Sequence, residues 1–442
     1  MLVLKFGGNS LSTENKVRRC AEIVKSALQR KPAVVVSAHG NTTDILVTCA
    51  KQALEGEVDT EQFTSYHYLL ADSLGVERTI IEPLMFRAEA MLNGIRLVRE
   101  LTPRTLDAIM SFGERLASRI FASVLCQLGV DAVPVNSYDI GFLTDSNFGN
   151  AAPLAGIEEK IAQNLRALRQ VPVITGFLGK DAKGNITTIG RSGSDYTAAI
   201  IGAAIGAEEI QIWKDVDGVL TADPSVDSRA RNVPELSFTE ASELAYYGAE
   251  VLHPSTLIPA IRKNIPVRVA NTMKPNEPGT VILPFSALTG QVAKSVVYKE
   301  NVALLHIVSQ RLLSVPALLS VVLGALEKCG IRVHMVVTSE ASISIITDRD
   351  YSEDEIAPAI AEISQHASAT CERSMAIICV LGEEMKGNAD VLTKIFSALG
   401  REGVKARLVS QSASELNIAL LVRSGEIEKT VKALHSLILG AE

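Results

Sequence analysis

Lys5-Phe6-Gly7-Gly8-Asn9-Ser10 puts a cation and two glycines at the end of an apolar run. Glycine lets backbone N–H groups approach an anion closely. A helix start just beyond would add positive potential. Lys5 stands at the carboxyl end of a strand, where open α/β sheets bind ligands. The segment matches neither GxxxxGK[ST] nor GxGxxG, so neither a P-loop nor a dinucleotide fingerprint is supported. It reads either as a phosphate site or as a tight strand–helix turn.

Four more segments carry candidate chemistry. Gly190-Arg191-Ser192-Gly193-Ser194-Asp195 opens an Ala-rich helix. Ser194 or Asp195 could be a plain N-cap. Arg191 among small residues also suits a phosphate or carboxylate, which Arg grips with two N–H groups. Ser37-Ala38-His39-Gly40-Asn41-Thr42-Thr43 follows a second β-rich run and is full of small hydrogen-bonding groups. Ser111-Phe112-Gly113-Glu114-Arg115 is expected near the start of a helix, with Glu114 a ligand or a capping acid. Trp213-Lys214-Asp215-Val216-Asp217-Gly218-Val219-Leu220 ends a strand in an acidic loop that runs to Asp223-Pro224. It is a nucleotide contact or a surface turn. His253 and His306 read as structural, and no His pair has metal spacing. No Gly-x-Ser-x-Gly elbow is present.

These residues need a scaffold, and the pattern supplies one. Short apolar strands are expected at Leu2–Phe6, Ala33–Ser37, Ala132–Val135, Val171–Gly176, Ile210–Lys214 and Val267–Ala270. They alternate with helical stretches, the first beginning near Thr13. Their near-continuous apolar character predicts a mostly parallel sheet covered on both faces, an α/β fold. Residues 55–128 read as a helical insert. Asp181–Asn185 reads as a hairpin turn.

The chain of 442 residues suggests more than one domain. Hydrophobic residues at 47% exclude whole-chain disorder. A net charge of −7 disfavours sequence-independent nucleic-acid binding. No apolar stretch is long enough to span a membrane, and no leader precedes Leu2, so a cytoplasmic protein is expected. The six cysteines show no CxxC pair and read mostly as buried thiols, without a disulfide framework or zinc site.

After Pro284 the rhythm changes and an internal repeat appears. Ala325–Ile331 resembles Ala398–Val404, and Gly330 and Gly403 set the offset at 73 residues. The likeness continues through Val337–Ser342 and Ser410–Ser414. Each copy reads helix, Gly turn, strand, Ser-containing turn, strand, helix, the rhythm of a ferredoxin-like α+β unit. The two copies are expected to pack together, since each has a sheet face to cover.

Taken in order along the chain, these segments resemble the aspartate kinases of the amino-acid kinase superfamily. Lys5–Ser10 is similar to their K-F-G-G-T-S, and Ser111–Glu114 to their S-x-G-E. Thr175–Phe177 and Gly190–Asp195 resemble T/Q-G-F and G-R-G-G-S-D. Trp213–Pro224 resembles W-x-D-V-x-G-x-x-T-x-D-P, and Gly248–Pro254 resembles G-A-x-V-L-H-P. The repeat is similar to the family's tandem ACT domains, and the monofunctional, lysine-regulated branch is the nearest form. The resemblance implies an αβα catalytic domain at 1–284 with its insert at about 55–128, a first ACT unit at 300–372 and a second at 373–442.

The implied reaction is phosphorylation of L-aspartate by ATP with Mg²⁺, giving 4-phospho-L-aspartate. A carboxylate nucleophile is already ionised at neutral pH, so no base is required and alignment and charge neutralisation dominate. By resemblance, Lys5, Gly8 and Asp195 serve catalysis. Ser37, Thr43, Glu114, Arg191 and Ser194 bind aspartate. Lys5, Phe6, Gly7, Gly8, Lys214, Asp215, Leu220 and Ser225 line the nucleotide. Thr338, Ser339, Glu340 and His334 bind an amino-acid effector, lysine first among those expected. A homodimer or a dimer of dimers is expected by the same analogy, with no nucleic-acid or membrane partner.

Some positions depart from the family pattern. Asn9 stands for Thr, Ser192 for Gly, and Leu220 and Ser225 for Tyr and Arg. His334 stands where some lysine-inhibited relatives carry Asp. The competing reading is an amino-acid sensor with a weakened kinase domain. A related kinase acting on glutamate or N-acetylglutamate fits the tandem ACT units less well. The length leaves no room for a fused homoserine dehydrogenase.

Overall fold

The computed structural model describes residues 1–248, 252, 254–286, 293–309 and 315–440. Of the Gly248–Pro254 motif, residues 249–251 and 253 lie outside this set. The chain divides into two compact units. The first comprises Met1–Val219, Pro234–Ser242 and Val251–Ser286; the second comprises Leu220–Val233, Glu243–Glu250 and Ala287–Glu442.

In the first unit, strands β1 (Leu2–Phe6) and β2 (Pro32–Val36) flank α1 (Glu14–Ser26) in sequence. Helices α2 (Thr42–Glu55), α3 (Glu61–Leu74), α4 (Glu82–Val98) and α5 (Pro103–Gln127) follow. Next come β3 (Ala132–Val135), α6 (Ile157–Ala167), β4 (Val171–Thr175), β5 (Leu178–Lys180), β6 (Ile186–Thr188), α7 (Gly193–Ile205) and β7 (Glu209–Lys214). Then β8 (Glu235–Ser237), α8 (Phe238–Tyr246), α9 (Pro254–Lys263), β9 (Val267–Asn271) and β10 (Thr280–Leu283) complete the series. Helix α8 begins in the first unit and ends in the second.

The sheet order is β3-β4-β2-β1-β7-β9-β10-β8. Only the β9–β10 pairing is antiparallel. The expected mostly parallel sheet is therefore present, and the short β5–β6 hairpin turns through Asp181–Asn185 as predicted. Leu2, Leu4 and Phe6 enter one core with Phe63, Phe112 and Phe121 of the helical layer. Side chains alternate along a strand, so Lys5 points to the opposite side of the sheet, toward α7.

One expectation fails here. Ser111–Arg115 lies in the middle of α5, not near its start. Thr102 caps the helix by accepting the Thr105 N–H at 3.2 Å, and Pro103 occupies the first turn, fixing the start well upstream.

In the second unit, β11 (Ser295–Ser309), α10 (Val315–Lys328), β12 (Val333–Thr338), β13 (Ser342–Thr347) and α11 (Glu353–Ile363) form the first lobe. The second lobe follows with β14 (Ala367–Leu381), α12 (Ala389–Arg401), β15 (Leu408–Gln411), β16 (Asn417–Arg423) and α13 (Ile427–Ile438). The repeats join edge to edge through antiparallel β11 and β14 in one sheet, ordered β12-β13-β11-β14-β16-β15. Each lobe covers its own stretch of sheet with its own helices. The copies thus pack together as expected, but by edge pairing, with each sheet face covered by its own lobe's helices. The two long strands also run across the expected limits of the first unit, β11 across residue 300 and β14 across residue 372. Ala293 and Val296 belong to the second lobe's core, while Leu305 and Ile307 belong to the first.

Three of the six cysteines are buried; Cys126 is exposed, and Cys329 and Cys371 are half-buried, so the sequence reading overstated their burial.

Candidate active site

Lys5 is 5% exposed, and a buried cation requires a partner. Helix α7 supplies one: Lys5 Nζ lies 2.6 Å from Asp195 Oδ1. Phe6 is in register with Trp213 of the parallel β7, so Lys214 emerges just past it, with Nζ 3.4 Å from Asp195 Oδ2. Burial pushes the Asp195 carboxyl up, but the Lys5 and Lys214 charges override it and hold the group below its ordinary range. Burial pulls the Lys5 amine down; Asp195 opposes that shift and Lys214 adds to it. Two cations thus meet the Asp195 carboxylate at the carboxyl end of the central strands, an arrangement suited to a polyanion.

Gly8 sits where no side chain fits: a Cβ would lie 2.7 Å from the Ala38 carbonyl and 3.0 Å from that of Gly40. The Gly40 N–H donates to the Gly8 carbonyl at 3.0 Å, fastening the two loops together. The Gly7 N–H donates to the Trp213 carbonyl at 3.2 Å. Among the described residues the Gly8 N–H makes no hydrogen bond, so the expected two-amide cradle offers one free amide. Phe6 packs its ring against Phe121 and Trp213 in the core, leaving only its backbone for a ligand. The helix expected near Thr13 begins at Glu14, after a 3₁₀ turn at Asn9–Leu11, so its N-terminus is set back from the glycines.

Glu114 is 3% exposed on α5. Gly113 makes this approach possible, because a Cβ there would come within 2.7 Å of the Ala38 Cβ. Glu114 Oε1 accepts the Ala38 N–H at 3.2 Å, while Oε2 is buried without a partner. Burial pushes this carboxyl up to about 7, against the pull of the Ala38 hydrogen bond and the Lys5 charge. An orphaned buried carboxylate oxygen is a ready acceptor for an ammonium. Ser37, half-buried, donates its N–H to the Phe6 carbonyl at 3.2 Å. Thr43 is half-buried in the first turn of α2. His39 is fully buried and accounted for structurally on one side, with Nδ1 2.7 Å from the Leu11 carbonyl, while burial lowers it to about 4.

At the start of α7 neither Ser194 nor Asp195 is the N-cap; Ser192 is, with φ of 58° in the left-handed region. Ser194 is buried against Gly176, where a Cβ would lie 2.6 Å from Ser194 Oγ, and Arg191 is exposed. The left-handed conformation costs a non-glycine residue about 1–2 kcal/mol, partly offset by the greater freedom glycine has when unfolded. Ser192→Gly is therefore expected to stabilise the fold by about 0.5–1 kcal/mol. A lower melting temperature for that variant would remove the strain assigned to this position.

The remaining predicted residues divide between the units. Asp215 is exposed, just beyond β7. Leu220 and Ser225 belong to the second unit. The Leu220 carbonyl accepts the Ser295 hydroxyl at 2.8 Å, and the Ser225 hydroxyl donates to Asp223 at 2.6 Å. Their loop is fastened by a buried chain in which Thr221 Oγ1 lies 2.8 Å from His435 Nε2 and His435 Nδ1 lies 2.8 Å from Asp227 Oδ2. Thr338, Ser339 and Glu340 are exposed at the β12–β13 hairpin, where the Ser339 and Ser342 hydroxyls are 2.8 Å apart. His334 does not join them. It is buried, stacked on Tyr246 with ring centroids 4.4 Å apart, and burial lowers it to about 4.

Sequence reasoning passed over a cleft of about 560 Å³ in the first unit, lined by Asn9, Asn41, Asp44, Asp59 and Tyr66 among others. Asn9 and Asn41 lay in segments already singled out. Tyr66 gave no signal, because its contact with the Ser12 carbonyl at 2.9 Å spans two distant segments. Among the described residues no group of three His, Cys, Asp or Glu side chains converges as a metal cage. Nor is any helix long and apolar enough to cross a membrane.

Comparison with known proteins identifies the two parts of the chain. Residues 1–271 match the amino acid kinase family, and residues 378–437 match an ACT domain. Aspartokinase 3, chloroplastic, of Arabidopsis thaliana is 39% identical over 452 residues, covering 98% of this chain and 81% of that protein. The crystal structure of E. coli aspartokinase III with aspartate and ADP, in its R-state, aligns with a TM-score of 0.80 at 29% identity. That alignment covers 99% of this chain and 100% of the other. The T-state structure of the same enzyme, with lysine and aspartate, aligns equally well at 0.80 and 29%, over 99% of each chain.

Proposed function

The chain belongs to the aspartokinase family, and from that membership we propose that it transfers the terminal phosphoryl group of ATP to the side-chain carboxylate of L-aspartate. The observation that carries this reading is the Lys5–Asp195–Lys214 cluster beside the free Gly8 amide. An aspartate carboxylate needs no base, so the residues act by neutralising charge and aligning in-line attack. Lys5 and the Gly8 N–H stabilise the oxygens of the group in flight. Asp195 keeps both lysines extended toward the phosphates. Lys214, Asp215 and the backbone at Phe6 and Gly7 border the nucleotide. Glu114 receives the aspartate ammonium through its unpartnered oxygen. Ser37, Thr43 and Ser194 border the amino acid, and Arg191 grips a carboxylate.

Mg²⁺ supplies further neutralisation of phosphate charge in reactions of this class. Asp195 is already held by two lysines and offers no vacant cage, so a metal would travel on ATP oxygens and water. No step is assigned to it.

Replacing Arg191 by alanine is expected to raise the KM for aspartate by roughly tenfold or more, the scale of one charged hydrogen bond. A rise confined to the KM for ATP would give Arg191 to the nucleotide. The reaction itself is tested by trapping the acyl phosphate with hydroxylamine, using aspartate and glutamate as separate acceptors. Product from glutamate alone would overturn the substrate.

The second unit is the regulatory part, and lysine is the effector tried first, through Thr338, Ser339 and Glu340. His334 is too deeply stacked to meet a lysine ammonium directly. Ser339→Leu is expected to weaken lysine inhibition while sparing the basal rate, since regulation is a coupling energy between separate sites. An unchanged inhibition curve would exclude Ser339. The chain is proposed to work as a homodimer or a dimer of dimers.

A further inference from the structure

The second lobe contains a groove of about 730 Å³ that plays no part in the reading above. Four cations line it: Arg373, Lys405, Arg407 and Arg423. Such a concentration stands out in a chain of net charge −7. Two are tethered at the rim. Arg373 Nε lies 2.8 Å from Asp350 Oδ1, and Arg407 is ion-paired with Glu372. Lys405 and Arg423 have no ion-pair partner among the described residues, and both are exposed. The floor is the start of α13, where Ser424, Gly425 and Glu426 precede the helix. Ser424 Oγ is buried there without a hydrogen-bond partner.

The repeat sharpens the point. At the 73-residue offset, Arg407 is the counterpart of His334, and Lys405 of Arg332. In the first lobe that strand position holds a buried imidazole stacked on Tyr246. In the second lobe the counterpart lies just before β15 and holds a guanidinium lining the groove. The pair Arg332 and Lys405 is cationic in both lobes, whereas Arg407 replaces the buried imidazole of His334.

We infer that this groove binds a small phosphate-bearing anion. Arg373 and Arg407 form the walls, and Lys405 and Arg423 supply uncommitted charge. Planar guanidinium groups match the spacing of phosphate oxygens, and the helix start adds favourable potential.

Equilibrium dialysis of the full chain with inorganic phosphate, pyrophosphate and AMP, at ionic strength matched with chloride, tests this. Pyrophosphate is expected to bind, and the double variant Lys405→Ala/Arg423→Ala is expected to weaken it by roughly tenfold or more. Lys5→Ala should leave this binding in place, which separates the groove from the reaction centre and from the success of the kinase reading. AMP binding tighter than phosphate would make the ligand a nucleotide; equal affinity would make the phosphate group alone the determinant. Unchanged pyrophosphate affinity in the double variant overturns the inference. So does binding lost only with Lys5→Ala. A double variant that changes only the sedimentation coefficient, or only the binding of a short RNA, assigns the groove to subunit contact or nucleic acid and overturns it too.

Discussion

Lys5→Ala is expected to lower kcat by roughly 10²–10³-fold, the scale of losing one preorganised charge stabiliser. The variant also leaves Asp195 buried with Lys214 alone, 3.4 Å away. Breaking a buried ion pair from one side costs about 3–5 kcal/mol, so a loss of stability should accompany the loss of rate. The two effects can be separated. In the double variant Lys5→Ala/Asp195→Ala the Lys5–Asp195 pair is removed from both sides, and much of the stability should return while the rate does not. Recovery of turnover together with stability would mean that Lys5 only braces the fold. Wild-type turnover in the single variant would remove Lys5 from the mechanism altogether.

Glu114→Gln should impair aspartate binding and strengthen the fold at the same time. In the free protein this carboxyl sits near 7, above its ordinary value of 4.5, because it is buried. The native state therefore holds the proton more tightly than the unfolded chain. Its contribution to stability is fully present below 4.5 and is lost as the pH rises through about 7. A shift of that size corresponds to about 3 kcal/mol. Glutamine carries no charge to bury, so the variant should be more stable than wild type above pH 7, by up to about 3 kcal/mol. Binding moves the other way. Only the ionised form attracts an ammonium, so wild-type kcat/KM for aspartate should fall as the pH drops below about 7, a limb that reports the free enzyme. Glu114→Gln should lack that limb and raise the KM by about 30-fold or more, the scale of losing a partner for a buried charge. A variant with an unaltered KM and the same pH profile would exclude contact between Glu114 and the substrate.

Much of this arrangement was legible in the sequence because local and global signals agree. Buried parallel strands leave continuous apolar runs, so β1, β2, β4, β7 and β9 appeared within one residue or so of their observed bounds. Lys5 announced itself as a charge inside such a run. What escaped was long-range. The centre of α5 is buried all round, so nothing in Ser111–Arg115 distinguishes the middle of a helix from its beginning. The edge joining of β11 to β14 depends on backbone pairing, which leaves little trace in side-chain pattern. The Leu220–Val233 loop reads as a continuation of β7, yet its packing partners lie near the other end of the numbering. The left-handed backbone at Ser192 is not announced by serine itself; only the family's glycine at that place pointed to it.

The Thr221–His435–Asp227 chain has a consequence for biosynthesis. His435 leaves the ribosome 214 residues after Thr221, which at ordinary elongation rates is on the order of 10–40 s. Throughout that interval the nascent loop has hydroxyl and carboxylate groups but no imidazole to bind them. A polypeptide released before α13 is made would keep the first unit's strands and lack this closure, so premature termination should yield species recognised by quality-control proteases at that loop.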